Sequence, residues 1–393
     1  MASFDFDTKC IYSPIGSLKD SFMPDNVRQA GLSLYWGAEF GFKTCPAFSE
    51  GVKKCAETGH FGFTIQSDEY NERVKWWMEH VRGFQCEKEW IVSTHGTIFG
   101  LATAIRMFLL KQHKRLLVIH PGYNRFAQAA HRMGLESDAS DMKLIDGRYY
   151  IDWDDLERRM ADPANGLLAF SNPNNPTGTI LPREDLERIA ELSEKYGMPV
   201  YCDEIFAEVT RGGVKVFPYI LCGHGRKLAI TSTTLGKSMS LTGVNHANLL
   251  IPDAELREKY IAQKYADHYG SIDPMLHAGL MNAYTEEGAE FIRALNEYVD
   301  GNVKLIEETV PALIPGAKVI HPEGTFVIWI DYSGLGLTED EVAQLLNEKY
   351  LFCGDAGDDY GASRYFYRYS IALPRSELVK NFDYIRNVQS KGE

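Results

Sequence analysis

The chain has 393 residues, 45% hydrophobic and 24% charged, which is ordinary globular usage with enough apolar surface to bury a large core. A formal net charge of −13 opposes nucleic acid and anionic membranes as partners, because phosphate binding rests on basic surface. No apolar run approaches the length that spans a bilayer, and seven scattered cysteines without CxxC spacing argue against a disulfide framework or a structural metal site.

The acidic opening around Asp5-Phe6-Asp7 lacks the basic and apolar regions of a secretory signal, so a cytoplasmic location is expected. Residues 1–45, broken by Gly16, Pro24, Gly31, Gly37 and Gly41, read as an arm and part of a small domain rather than a core segment. Its aromatic run Tyr35-Trp36-Gly37-Ala38-Glu39-Phe40 either packs on a neighbouring domain or walls a binding cleft. Residues 46–58 and 67–82 read as helices, the second with Tyr70, Val74, Trp77 and Met78 at helical spacing. Between them, His60-Phe61-Gly62-Phe63-Thr64 is a turn carrying two large rings.

A strand at 90–93 is followed by the turn Thr94-His95-Gly96 and an almost wholly apolar, buried helix over 97–110. The first amides of such a helix, leaving a small-residue turn, can hold a phosphate without a cation. A buried strand over 116–120 ends at Pro121-Gly122-Tyr123, a helix follows through Phe126, Ala130 and Met133, and 149–160 forms a further element. The strand 166–170 then meets the rigid turn Ser171-Asn172-Pro173-Asn174-Asn175-Pro176-Thr177-Gly178. An amphipathic helix over 182–196, closed by Gly197, leads to a strand ending at Asp203-Glu204. Strand, helix and strand in this order make a right-handed parallel unit, so Asn175 and Asp203 fall at the carboxyl ends of strands, where such sheets bind ligands.

The apolar run Leu228-Ala229-Ile230-Thr231-Ser232 precedes Lys237, which Gly236 and Gly243 leave on a turn between two buried segments. Lysines are usually solvated, and this setting is unusual for one. A strand over 247–251, a long helical region over 254–310 broken at 270–274, and strands over 325–330 and 365–370 complete the chain. The expected division is a large domain over 46–285 and a small mixed α/β domain over 286–393, without internal repeats.

An asparagine in an Asn-Pro-Thr-Gly turn, a carboxylate ending the next strand and a lysine in a later loop suit pyridoxal phosphate. That cofactor needs a lysine for its Schiff base and an acid against its pyridinium nitrogen. The stretches Phe61-Gly62-Phe63, Pro121-Gly122-Tyr123-Asn124-Arg125-Phe126, 172–178, Asp203-Glu204-Ile205 and Arg368-Tyr369-Ser370-Ile371-Ala372-Leu373-Pro374-Arg375 carry a family resemblance. The sequence resembles the fold type I pyridoxal-phosphate enzymes of the aminotransferase class I and II superfamily. Within it the chain is most similar to the carbon–sulfur β-lyases of the cystathionine-lyase and maltose-regulon-modulator type.

The resemblance implies an α/β fold with a large, mostly parallel sheet covered by helices and a smaller α/β domain. It assigns Lys237 to the Schiff base and to proton transfer at the substrate α-carbon, Asp203 to the pyridine nitrogen, Asn175 to the phenolic oxygen and Tyr123 to ring stacking. Gly96, Thr97 and Thr234 would hold the phosphate, and Arg368 the substrate carboxylate, with Tyr35 and Trp36 near the substrate. A homodimer is implied, Phe63 reaching the neighbouring subunit's site. His95, beside the phosphate turn, is either packed or a substrate contact.

Four features depart from the family pattern. Phe206 stands where relatives have Tyr or His, Asn245 where many place a phosphate-binding Arg, and Phe63 where a tyrosine is common. The arm's usual aspartate pair is reduced to Glu39 with Gly41. The implied activity is elimination of a thiol from cystathionine or a cysteine conjugate, giving pyruvate and ammonia. Alternatives are an aminotransferase, a specialised enzyme of γ-elimination, replacement, cyclisation or oxidation, and a regulatory binding protein.

Overall fold

Short runs of β-branched and apolar residues bounded by turn formers become the strands. The computed structural model describes residues 4–10, 16–268, 270 and 272–391; Ser271, inside the expected break at 270–274, lies outside them. In chain order the strands are β1 (Ile91–Thr94), β2 (Arg115–His120), β3 (Ser137–Asp141), β4 (Lys143–Ile145), β5 (Arg148–Tyr150), β6 (Asn165–Ser171) and β7 (Val200–Asp203). They continue with β8 (Ala229–Thr233), β9 (Ala247–Leu250), β10 (Lys318–Ile320), β11 (Val327–Asp331), β12 (Asp355–Ala356) and β13 (Phe366–Ser370).

Seven strands form one sheet in the order β1-β9-β8-β7-β6-β2-β3, with β9 antiparallel to both neighbours and the pairs from β8 to β3 parallel. Every residue of β6, β7 and β8 is buried, as expected of strands covered on both faces. Alternate residues serve different cores: Leu116 and Leu167 pack with Leu101 and Ile105 of the helix Thr97–Phe108, while Leu117 and Leu168 join the other cluster. The register pairs Ser171 with Asp203 and Asp203 with Ser232. The loops after β6, β7 and β8 therefore leave the sheet side by side.

A second sheet, β10-β11-β13-β12, is wholly antiparallel and buries Trp329, Tyr367 and Tyr369. Three helices, Ala254–Ala266, Pro274–Ala283 and Glu286–Leu313, fill the expected helical region between the sheets. Among the described residues no helix is long and apolar enough to cross a membrane.

Three expectations need correction. The element over 149–160 is the end of a hairpin followed by the helix Trp153–Met160, which Asp152 caps by accepting from the Asp155 N–H. Asp146 and Gly147, both at positive φ, make the two-residue turn between β4 and β5. The apolar helix stops at Phe108, and a 3₁₀ turn over Leu110–Gln112 follows. Finally, the segment before residue 45 is not peripheral: Tyr35, Phe40 and Phe42 lie in the main core. The Tyr35 N–H donates to Cys353 O at 3.1 Å and Ser370 N–H to Tyr35 O at 2.9 Å, tying this segment to the second sheet.

Candidate active site

Asp203 ends β7 with its side chain buried, and its Oδ1 accepts the Ile205 N–H at 3.2 Å. Burial pushes its carboxyl up to about 7, against the opposing influence of that N–H, the Thr97 hydroxyl and the Lys237 charge. Among the described residues no cation reaches ion-pair distance of Asp203.

Lys237 leaves the loop after β8 half-buried, its Nζ donating to Ala38 O at 3.0 Å with Thr242 Oγ1 at 3.5 Å. Burial, then the Arg368 charge, bring its ammonium down to about 8, although Glu39 and Asp203 act the other way. A substantial fraction is therefore neutral amine near physiological pH.

The turn after β6 is fixed by its own asparagines. Asn174 Nδ2 donates to Pro121 O at 3.1 Å, and the Asn175 N–H to Ser171 Oγ at 3.2 Å. Asn175 Oδ1 in turn accepts from Arg368 Nη1 at 3.2 Å. Arg368, buried on β13, donates from Nε and Nη2 to Asp355 Oδ2, its register partner on β12, at 3.1 and 2.6 Å. Its Cζ lies 5.0 Å from the Tyr360 ring centroid, a cation–π distance.

These groups share a cavity of about 300 Å³, also lined by Trp36, Tyr123 and Phe206. A wider groove of about 1220 Å³, lined by Lys43, Glu50 and Phe291, holds none of them, so size does not mark the site. Tyr35 is absent from the cavity wall. It is fully buried, edge-on to Phe352 at 4.9 Å, so the alternation along an extended segment sends Trp36 to the pocket and Tyr35 to the core.

Gly96, at φ +109°, starts the helix Thr97–Phe108 with no side-chain cap, so its first amides remain available. The conformation suits glycine alone. Thr234 donates its proton to His246 O at 2.8 Å and accepts the Gly236 N–H at 3.0 Å, so it donates to a phosphate only if the first bond breaks. Asn245 and His95 line a separate small cavity with His246. Phe206 packs edge-on against Phe326 at 5.3 Å, presenting hydrocarbon where the family pattern has a polar ring. Phe63 is fully exposed, beside exposed Phe61 and Ile65.

Sequence reasoning missed Asp355, Tyr360, Arg125 and Asp359, all of which line the cavity. The acidic run 355–359 was visible, but no spacing rule linked it to Arg368.

The donor set fits pyridoxal phosphate. A buried carboxyl without an ion-pair partner suits a pyridinium N–H, Lys237 supplies an amine across the pocket, and the uncapped helix supplies phosphate amides. Fold and site together define a fold type I pyridoxal-phosphate enzyme. The chain belongs to the aminotransferase class I and II family, whose model matches residues 41–379.

Among known proteins it is similar to the cystathionine beta-lyase PatB of Bacillus subtilis, 27% identical over 83% of this chain and 84% of that one. It is also similar to protein MalY of Escherichia coli, 25% identical over 91% of this chain and 92% of that one. Its fold resembles that of cystalysin from Treponema denticola, a structure containing pyridoxal 5′-phosphate, at a TM-score of 0.91 and 23% identity over 100% of both chains.

Proposed function

We propose that the protein is a carbon–sulfur β-lyase acting on S-substituted cysteines such as cystathionine, and that Lys237 is its catalytic residue. The observation that carries this reading is one pocket in which a lysine amine of lowered pKa, a buried Asp203 and a buried Arg368 held by Asp355 converge. The relatives named as cystathionine beta-lyases support the choice of reaction.

Bound pyridoxal phosphate supplies the electron sink for the pair released from the Cα–H bond. Asp203 would keep the pyridine nitrogen protonated, Asn175 would donate to the phenolic oxygen, and Tyr123 would stack on the ring. The amides of Gly96 and Thr97 would hold the phosphate. Arg368 grips the substrate α-carboxylate through the N–H bonds it still has free, and Trp36 flanks the side chain. Lys237 Nζ, as neutral amine, takes the Cα proton. The Cβ–S bond then breaks, its electron pair leaving with sulfur, which ends as a thiol. A Cα=Cβ bond forms, and water converts the three-carbon product into pyruvate and ammonia.

The proposal includes a cytoplasmic homodimer in which Phe63 meets the partner subunit, and the division into 46–285 and 286–393. Cofactor-loaded protein given L-cystathionine without keto acid is expected to release pyruvate and thiol over many turnovers. No product without keto acid, with turnover restored by one, would replace the lyase by an aminotransferase.

A further inference from the structure

The turn His95-Gly96-Thr97 links two cavities. Thr97 acts through its hydroxyl on Asp203 in the larger one, while His95, two residues earlier, lines the small cavity of about 30 Å³. That cavity has room for about two oxygen-sized atoms, and Thr94, Asn245, His246, Lys264 and Asp273 also line it. The register pairs Thr94 with Ala247, which sets Asn245 and His246 beside the same turn. Thr234 is tied to this place too, its hydroxyl donating to His246 O at 2.8 Å.

Lys264 is the only lysine or arginine in the wall of the small cavity, and it is just 9% exposed. Among the described residues its ammonium makes no hydrogen bond and no carboxylate lies within ion-pair distance of it. Asp273, in the same wall, instead accepts the Leu276 N–H at 2.9 Å. The Tyr265 ring centroid lies 6.0 Å from Lys264 Nζ, the outer limit of a cation–π contact. Burial lowers the lysine's pKa with no charged neighbour opposing the shift. Its charge is felt at the turn, where His95 is held down by burial and then by Lys264. The helix Ala254–Ala266 fixes that placement: Tyr260, one turn before Lys264 on the same face, donates to Gly100 O at 3.0 Å in the helix Thr97–Phe108. A buried ammonium without an anion is costly unless a ligand brings one.

We infer that Lys264 is the cation that neutralises the cofactor's phosphate, in place of the arginine that Asn245 does not supply. The inference rests on the pyridoxal-phosphate assignment and holds whichever reaction follows. The first amides of the helix and its dipole offer only partial positive charge to a phosphate that carries between one and two negative charges. Thr234 already donates elsewhere, and Asn245 is exposed and uncharged, so Lys264 alone brings a full charge to this end of the site. Phosphate in turn supplies the anion that the buried ammonium lacks, so each stabilises the other.

The test compares two aldehydes on the cofactor-free full chain, pyridoxal 5′-phosphate and pyridoxal, which differ only in the phosphate and both condense with Lys237. Dissociation constants are read from the absorbance of the lysine-bound species. Lys264→Gln should raise the constant for pyridoxal 5′-phosphate at least tenfold while that for pyridoxal changes less than twofold. Lys264→Met, which keeps the buried stem, should do the same, and Lys264→Arg should restore most of the loss. Equal shifts for both aldehydes, or no shift for either, overturn the inference; the former makes Lys264 a residue of the fold alone. If the wild type forms no lysine-bound species with either aldehyde, the assignment of Lys237 falls separately. Lys264 is then judged with inorganic phosphate by calorimetry, where binding weakened at least tenfold in Lys264→Gln upholds the inference and unchanged binding overturns it.

Discussion

Asp355 Oδ2 accepts from both Nε and Nη2 of Arg368, at 3.1 and 2.6 Å, while Asn175 Oδ1 holds Nη1 at 3.2 Å. Three of the five guanidinium N–H bonds are thus committed, and the two left are one on each terminal nitrogen. Asp355 therefore fixes the fork while leaving two donors free, and in the proposed function it positions Arg368 for a substrate carboxylate. Asp355→Asn should raise KM about 10- to 100-fold with a smaller change in kcat, because the fork is loosened rather than removed. Steady-state kinetics on cystathionine check this, and a fall in kcat with KM unchanged would contradict it.

With its amine brought down to about 8, Lys237 should capture cofactor well below the pH at which an ordinary lysine reacts. Only neutral amine condenses with an aldehyde. In cofactor-free protein the capture rate should rise about tenfold per pH unit below 8 and flatten above it, followed by the absorbance of the lysine-bound cofactor. Replacing Arg368 with Gln removes a neighbouring positive charge and should move that midpoint upward. Lys237→Ala should abolish both the absorbance and turnover.

The parts of the site legible in the sequence are those written in short stretches. The turn at 171–178, Asp203 at a strand end and Lys237 between glycines each carry local cues, and the parallel unit joins the first two without any long-range information. Asp355 and Arg368 meet only because β12 and β13 are antiparallel and in register, which no local spacing encodes. Tyr35 and Trp36 are adjacent aromatic residues with equal claims on a pocket; the hydrogen bonds that set the strand-like path of Tyr35 against Cys353 and Ser370 decide between them. Phe206 was visible as a departure, whereas its packing against Phe326 depends on a chain segment over a hundred residues away.

Asp203 should make the cofactor-free protein less stable as pH rises. Its folded pKa, about 7, lies above the unfolded value, so the folded state binds more protons between about 4 and 7 and stability declines across that window. A separation of that size corresponds to at most about 4 kcal/mol, reached above pH 7. Asp203→Asn should remove this dependence and leave the cofactor-free protein more stable than wild type at pH 8 in urea denaturation, while weakening cofactor retention. Equal stability of the two proteins at pH 8 would count against a destabilising buried carboxylate.

Phe63, with Phe61 and Ile65, places exposed apolar side chains in one short segment. Burial of one phenylalanine contributes about 2–3 kcal/mol and a symmetric dimer contains the contact twice, so Phe63→Ser at a partner contact should weaken self-association about 1000-fold or more. Sedimentation across a range of protein concentrations would show it as a shift toward monomer. An unchanged association curve removes Phe63 from the interface.

Directly after Asp203, Glu204 is buried with its Oε2 accepting from Arg82 Nη2 at 2.6 Å and its Oε1 accepting the Tyr219 N–H at 2.7 Å. Arg82 also lies 3.9 Å from Glu208, whose Oε1 accepts from Trp77 Nε1 at 3.2 Å. This network anchors the backbone just beyond Asp203 to the turn Met78–Arg82, which follows the helix Asp68–Trp77. Glu204→Ala leaves a buried guanidinium with one distant carboxylate and an N–H without its acceptor, a change that costs about 3–5 kcal/mol. Replacing Arg82 and Glu204 together with methionine and leucine should cost less than the two single changes combined, since the remaining charge is no longer stranded. Urea denaturation of the two single variants and the double variant forms the cycle. Additive losses would mean that Arg82 and Glu204 contribute separately, and that the strand end holding Asp203 is secured by packing alone.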